Sequence, residues 1–249
     1  MKVCIVGYGN MGKEIEKVLL QRDHEITARI DTQPGLGDGD SLTEEVLAQT
    51  DGVIEFALSA GVKKNAQAYV RSGTPAVVGT TGWYDQKEDI RKLVLQGDGA
   101  YLWGSNFSIG AHLLFALAAY AAQLIDPFPD YDIFAYEVHH TKKKDSPSGT
   151  AITLANRVLE GSSRKNKIVT EKLDRRITPD ELHVASVRGG SVPGIHSLSL
   201  DSPADTVEIK HTARNRGGFA LGAVMALEWL KEKKGFYQVE DFIEDLQNK

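Results

Sequence analysis

The sequence predicts an α/β chain: a doubly wound parallel sheet at the N-terminus, then a second α+β domain on a mixed, mostly antiparallel sheet. Three observations predict it. Apolar runs of strand length alternate with helical stretches from Lys2 to Trp103, the first of those strands feeds a glycine-rich turn, and strand-like runs predominate between Asp132 and His211.

The first strand, Lys2–Val6, carries the apolar run of Val3, Cys4, Ile5 and Val6, as a buried parallel strand requires. It leads into Gly7, Tyr8, Gly9, Asn10, Met11 and Gly12, and then into a helical pattern from Lys13 to Leu20. In that strand–turn–helix context the G-x-G-x-x-G spacing marks a Rossmann-type dinucleotide site. The first glycine makes the tight turn, the second admits a pyrophosphate to the backbone, and the third lets the helix pack on the strand. A second strand, Glu25–Ile30, ends in Asp31, about 20 residues beyond the loop, where an acid accepts hydrogen bonds from a ribose diol. Thr32 follows where a 2′-phosphate would call for arginine, so NADH is expected in preference to NADPH.

Further strands are expected at Gly52–Leu58, Ala76–Val78 and Ala100–Trp103, alternating with helices at Val62–Ser72 and Gln86–Gln96. Ligands of such sheets sit at the carboxyl ends of the strands. Gly79, Thr80 and Thr81 after one strand, and Gly104, Ser105, Asn106 and Phe107 after another, are therefore expected to line the nicotinamide side of the cofactor.

Ile109–Ile125 is apolar, but His112, Gln123 and the following Asp126-Pro127 favour a buried helix over a membrane span. Strands are expected at Asp132–Val138, Glu181–Val187, His196–Leu200 and Thr206–Lys210, and a helix at Ala151–Leu159. The basic stretch Arg164–Lys172 reads as a solvated, mobile loop. Arg214 and Arg216 precede Gly217-Gly218 and a helix from Phe219 to Lys231, the expected return to the first domain, and read equally as surface charges or as a part of cleft closure; Val239–Leu246 is expected to form a last amphipathic helix. The expected division is residues 1–107 plus 214–249 as the dinucleotide-binding domain and 108–213 as the substrate-binding and oligomerisation domain.

The segment Glu137–Ala151 carries the chemistry. It holds His139, His140, Lys142, Lys143 and Lys144 on a loop between a strand and a helix. Ser146 is expected to cap that helix, with Pro147 in its first turn and Gly149 leaving the backbone open to a ligand. The N–H groups of Ser148, Gly149 and Thr150 then form a pocket for a carboxylate or phosphate. Of two adjacent histidines at a strand end, one is expected to react and the other to orient. Metal binding is the weaker alternative, since the lone cysteine is in the first strand and lysines surround the histidines.

A chain of 249 residues can bury a full core, and its single cysteine excludes an intramolecular disulfide framework. A net charge of −5 gives no general attraction to nucleic acid or anionic membranes, so the basic loop is a local field suited to a small anion. The N-terminus runs at once into a strand without a signal-peptide pattern, which points to the cytoplasm.

These motifs together resemble the 4-hydroxy-tetrahydrodipicolinate reductase (dihydrodipicolinate reductase) family over nearly the whole chain. The resemblance rests on residues 137–151 (EVHHTKKKDSPSGTA), on GTTG at 79–82 and SNFSIG at 105–110, on Val192–His196, and on His211–Arg216 followed by Phe219, Gly222 and Ala223. It implies that His139 is the catalytic acid/base, Lys143 the proton donor, and His140, Ser148, Gly149 and Thr150 the substrate contacts. It further implies a cofactor held by Gly7–Gly12, Asp31, Gly79–Thr81 and Gly104–Phe107, a cyclic dicarboxylate substrate with a ring imine, and a homotetramer. The chain departs from the usual pattern in a glycine loop one residue shorter and in Thr141 and Lys142, which stand where arginine and histidine are usual.

Overall fold

The computed structural model describes residues 1–247, which divide into two compact units. One comprises Met1–Ile109 and the chain from Arg216 onward, the other Gly110–Asn215.

The first unit is built on a six-stranded sheet in the order β11-β5-β4-β3-β1-β2, parallel throughout. Its strands are β1 (Lys2–Val6), β2 (Glu25–Ile30), β3 (Gly52–Glu55), β4 (Ala76–Val78), β5 (Ala100–Trp103) and β11 (Gly235–Gln238). Side chains alternate across it as strand geometry requires. Val3, Ile5, Ile54 and Val77 enter a core with Ile15 and Leu19 of α1 (Asn10–Gln21), Ala223 and Leu227 of α7 (Gly217–Leu230) and Phe242 of α8 (Val239–Gln247). Cys4, Val6, Val53 and Val78 enter the opposite core with Ala66 and Tyr69 of α3 (Val62–Ser72) and Ile90 and Val94 of α4 (Lys87–Gln96). Helices thus cover both faces, the doubly wound arrangement. Truncating a fully buried residue such as Ile5 or Leu19 to alanine costs about 2–5 kcal/mol.

The second unit carries a mixed sheet in the order β10-β9-β6-β8-β7. Its strands are β6 (Asp132–His139), β7 (Lys167–Val169), β8 (Glu181–Arg188), β9 (Ile195–Asp201) and β10 (Thr206–Thr212). The β10/β9 and β9/β6 pairings are antiparallel, whereas β6/β8 and β8/β7 are parallel, so parallel pairing has a larger share than the strand-rich sequence suggested. One face packs on Leu114, Phe115 and Ala118 of α5 (Ile109–Ile125) and Leu154, Ala155 and Val158 of α6 (Gly149–Gly161). The other face leaves Phe134 and Val187 exposed. Among the described residues no helix is long and apolar enough to cross a membrane.

Two expectations are corrected. Arg164–Lys172 is not a solvated loop throughout: it contains β7, which pairs Ile168 with Leu182 and Val169 with His183. Lys165 is only 4% exposed, and its ammonium donates to the Glu181 carbonyl at 2.7 Å and pairs with Asp132 at 2.5 Å. The basic composition concealed a strand because Lys165 and Lys167 are spent on acceptors of other strands of the sheet, Glu181 of β8 and Asp132 of β6. The second correction concerns α6, whose cap is Ser148 rather than Ser146: its Oγ accepts the Ala151 N–H at 3.2 Å, so Ser146 and Pro147 precede the helix. Helix α2 (Glu44–Ala48) and β11 had no strong period in the sequence and were not anticipated.

Candidate active site

The glycine loop joins β1 to α1. Gly7 has φ +88°, and a Cβ there would lie 2.1 Å from the Phe56 carbonyl oxygen; at Gly12 it would meet the Gly7 carbonyl oxygen at 2.3 Å. Both positions therefore demand glycine. At Gly9, by contrast, the space where a Cβ would point is open, and no side chain caps the helix that starts there. Bare N–H groups at a helix start beside open space fit a pyrophosphate. Asp31 stands at the end of β2, where its Oδ2 accepts the Tyr8 N–H at 2.7 Å and its Oδ1 the Gln33 N–H at 2.8 Å. Each oxygen keeps a further lone pair for a ribose hydroxyl.

The other expected cofactor residues lie where β4 and β5 end, but in different settings. Thr81 and Ser105 are exposed and Gly79 and Asn106 half-buried. Thr80 is buried, with its hydroxyl accepting the Ala57 N–H at 2.9 Å, and Gly104 extends the ladder by donating to Val78. Phe107 is only 2% exposed and stands edge-on to Phe56 at 5.9 Å, a core position.

In the second unit, the two-residue period of β6 places Glu137 and His139 on one face. Glu137 is fully buried and its Oε2 is hydrogen-bonded to His139 Nδ1. Its Oε1 accepts from Arg188 Nη2 at 2.7 Å and from the Ser148 N–H at 3.2 Å. The sheet register supplies the other members: His139 pairs with Arg188 on β8, and Glu137 pairs with His196 on β9. The His139 and His196 rings stand edge to face at 5.1 Å. His196 Nε2 lies 3.1 Å from Ser148 Oγ.

The electrostatics fix the protonation states. Burial pushes the Glu137 carboxyl up, but the Arg188 guanidinium and the His139 ring outweigh it and hold the carboxyl below its usual range. Burial pushes His139 down, the Glu137 carboxylate opposes, and Lys143 and Arg188 push it down further, with a net lowering. The pair is therefore a carboxylate and a neutral imidazole at pH 7. His196 is pushed down to about 4 by burial and by the charges around it.

Lys143 pairs with Asp145 at 2.8 Å, and its N–H bonds to the His140 carbonyl. His140 donates its own N–H to the Val192 carbonyl at 2.8 Å, and its buried Nδ1 has no partner among the described residues. The Ser148 N–H is taken by Glu137, whereas Gly149 is exposed with open space on its Cβ side. The structure thus gathers His139, Lys143, His140 and the α6 start in one unit, as their proximity in sequence suggests. It adds Glu137, Arg188 and His196, which sequence reading missed. For Glu137 the two-residue spacing to His139 was an available signal, and His196 closes the motif Val192–His196; Arg188, from a distant strand, had none.

Glu137, His139 and His196 bring ligand-type atoms within 4.8 Å of one another. The donor set does not fit a cation, because Arg188 already neutralises the only carboxylate and Lys143 adds a second positive charge.

A parallel sheet with a dinucleotide-type glycine loop, and a separate imidazole–ammonium site, define an NAD(P)H-dependent oxidoreductase. The sequence comparisons give the family. Residues 1–107 match the N-terminal domain of dihydrodipicolinate reductase and residues 110–243 match its C-terminal domain, so the chain belongs to that family. It is 37% identical over 246 residues to the 4-hydroxy-tetrahydrodipicolinate reductase of Christiangramia forsetii, covering 99% of each chain. It is 33% identical to that of Rickettsia rickettsii, covering 94% of each. Among solved structures, the dipicolinate-bound dihydrodipicolinate reductase of Paenisporosarcina sp. TG-14 shares the fold with a TM-score of 0.76 at 24% identity, covering 97% of this chain and 98% of that one.

Proposed function

We propose that the chain reduces 4-hydroxy-tetrahydrodipicolinate to tetrahydrodipicolinate in diaminopimelate and lysine biosynthesis, drawing on the cytoplasmic dinucleotide pool. The observation that carries this reading is a neutral, carboxylate-bound imidazole under the field of an ammonium, at a helix start, in a chain whose two halves both match the reductase family.

Reduction requires loss of water from ring C4, addition of a hydride to the conjugated imine, and delivery of one proton. The reduced nicotinamide, when bound, supplies the hydride. His139, neutral with its Nδ1 turned to Glu137, offers Nε2 for proton transfer. Lys143 donates the proton and offsets charge on the ring and its carboxylates, while His140 contacts the substrate. Gly149 and Thr150 at the start of α6 receive one carboxylate; Ser148 shapes that start through its cap and its bond to His196.

For the cofactor, Gly7–Gly12 hold the pyrophosphate and Asp31 the adenosine ribose, with Gly79–Thr81 and Gly104–Phe107 forming the nicotinamide end through backbone and exposed side chains. NADH is preferred. Thr32 offers no cation to a 2′-phosphate, and the nearby Arg29 guanidinium is already bound to Glu16 and, at 3.0 Å, to Asp38. The chain assembles as a homotetramer through the exposed outer face of the second sheet, which presents Phe134 and Val187. Sedimentation at four chain masses is expected, and a monomer at micromolar concentration contradicts the assembly.

The activity is tested by following NADH absorbance while the enzyme that condenses pyruvate with the aldehyde precursor supplies fresh substrate. Oxidation that needs all components is expected. A persistently flat trace with active condensing enzyme refutes the function.

A further inference from the structure

We propose that Glu137 is the positioning residue of the imidazole site: it holds His139 with the proton on Nδ1 and leaves Nε2 as the reacting atom, while Arg188 and the Ser148 N–H brace its other oxygen. The assignment of Nε2 as reacting rests on the reductase reading above; the orientation itself does not.

Glu137 has no exposed surface, in the middle of a sheet where an apolar residue would avoid the desolvation cost of a carboxylate. Three groups from three places converge on it: His139 two residues along β6, Arg188 from β8, and the backbone N–H that opens α6. An ionised carboxylate only accepts hydrogen bonds, so the His139 nitrogen facing it must carry the proton. Nε2 then holds the lone pair, and it faces the backbone of Gly194, where a Cβ would stand 3.0 Å away. His196, edge-on at 5.1 Å, is neutral, with its Nε2 3.1 Å from Ser148 Oγ, so it presents no competing charge. A carboxylate serving only as a bolt between β6, β8 and α6 would need Arg188 and Ser148; it would not need the histidine.

Glu137→Gln separates the two roles. Its carbonyl oxygen can still accept from Arg188 and Ser148, which leaves the amide NH2 facing His139 Nδ1. Two donors cannot meet there, so the ring must move its proton to Nε2. The experiment is nitrogen-15 NMR of the histidine rings in the ligand-free full chain, with His139 assigned by its loss in His139→Asn. The expected result is the Nδ1–H form in the parent and the Nε2–H form in Glu137→Gln, with kcat lower by about 10² to 10⁴ and KM little changed.

An Nε2–H tautomer in the parent, or the same tautomer in both proteins, overturns the proposal even when the parent reduces the ring diacid. A tautomer that switches in a chain that oxidises no NADH leaves the positioning intact and removes the reductase reading instead. If Glu137→Gln does not fold, Arg188→Lys gives the decision: it keeps a positive charge beside the carboxylate, so the Nδ1–H form must persist, and its loss contradicts the role given to Glu137.

Discussion

Ser148 Oγ lies 3.1 Å from His196 Nε2 and at the same time accepts the Ala151 N–H that caps α6. One hydroxyl therefore serves the start of the helix and the neutral His196 beside His139. Ser148→Ala removes the cap and leaves both partners unsatisfied in a buried setting. The expected loss is about 1–3 kcal/mol, read as a lower urea midpoint at unchanged slope. A variant as stable as the parent denies the hydroxyl this double role.

Lys143→Ala separates a chemical role from a structural one. Its partner Asp145 has a side chain 55% exposed, so the ion pair itself is worth little to stability. Turnover, on the other hand, is expected to fall by about 10² to 10⁴, as loss of a positioned proton donor does. Steady-state kinetics together with a melting curve decide it: unchanged turnover in a folded variant eliminates Lys143 as the donor.

The proposed preference for NADH is tested at the β2 terminus. Asp31 accepts the backbone N–H groups of Tyr8 and Gln33, which fixes its carboxylate beside the glycine loop, where it is expected to disfavour a 2′-phosphate. The specificity constant kcat/KM is expected to be higher with NADH than with NADPH, and Thr32→Arg is expected to narrow the gap. A higher constant with NADPH in the parent contradicts the assignment.

Glu55 gives a pH signature of folding rather than of catalysis. It is fully buried on β3, accepts from Tyr69 at 2.7 Å and Asn65 at 3.1 Å, and burial raises its carboxyl to about 7. A carboxyl raised in the folded state favours folding below its unfolded value near 4.5, and this contribution is lost as pH rises through about 7. Glu55→Gln should therefore gain on the parent between pH 5 and pH 8, by up to about 3 kcal/mol. Urea unfolding at the two values measures it, and a constant difference shows that Glu55 ionises freely when folded.

The parallel sheet was legible because its strands are short, apolar and punctuated by glycine turns, so β1, β2 and β4 fall where the pattern placed them. Strand β7 was not, because a strand whose lysines are spent on acceptors of other strands of the sheet looks, in sequence, like a basic loop. The share of parallel pairing in the second sheet was also hidden, since strand runs carry no record of which neighbour they choose. In the site, proximity in sequence revealed His139, His140, Lys143 and the helix start. It could not reveal Arg188 and His196, which the register of β8 and β9 brings to Glu137 and His139 from about fifty residues away. Nor could a motif distinguish Phe107 as a core ring, because burial is a property of the packed sheet and not of the turn.

The most direct test of the account is the fate of a deuterium label. With reduced nicotinamide dinucleotide deuterated at both C4 positions and freshly condensed cyclic diacid, mass spectrometry of the product should show one carbon-bound deuterium per molecule formed. A product carrying none, or formed equally well without the dinucleotide, contradicts reduction by hydride transfer.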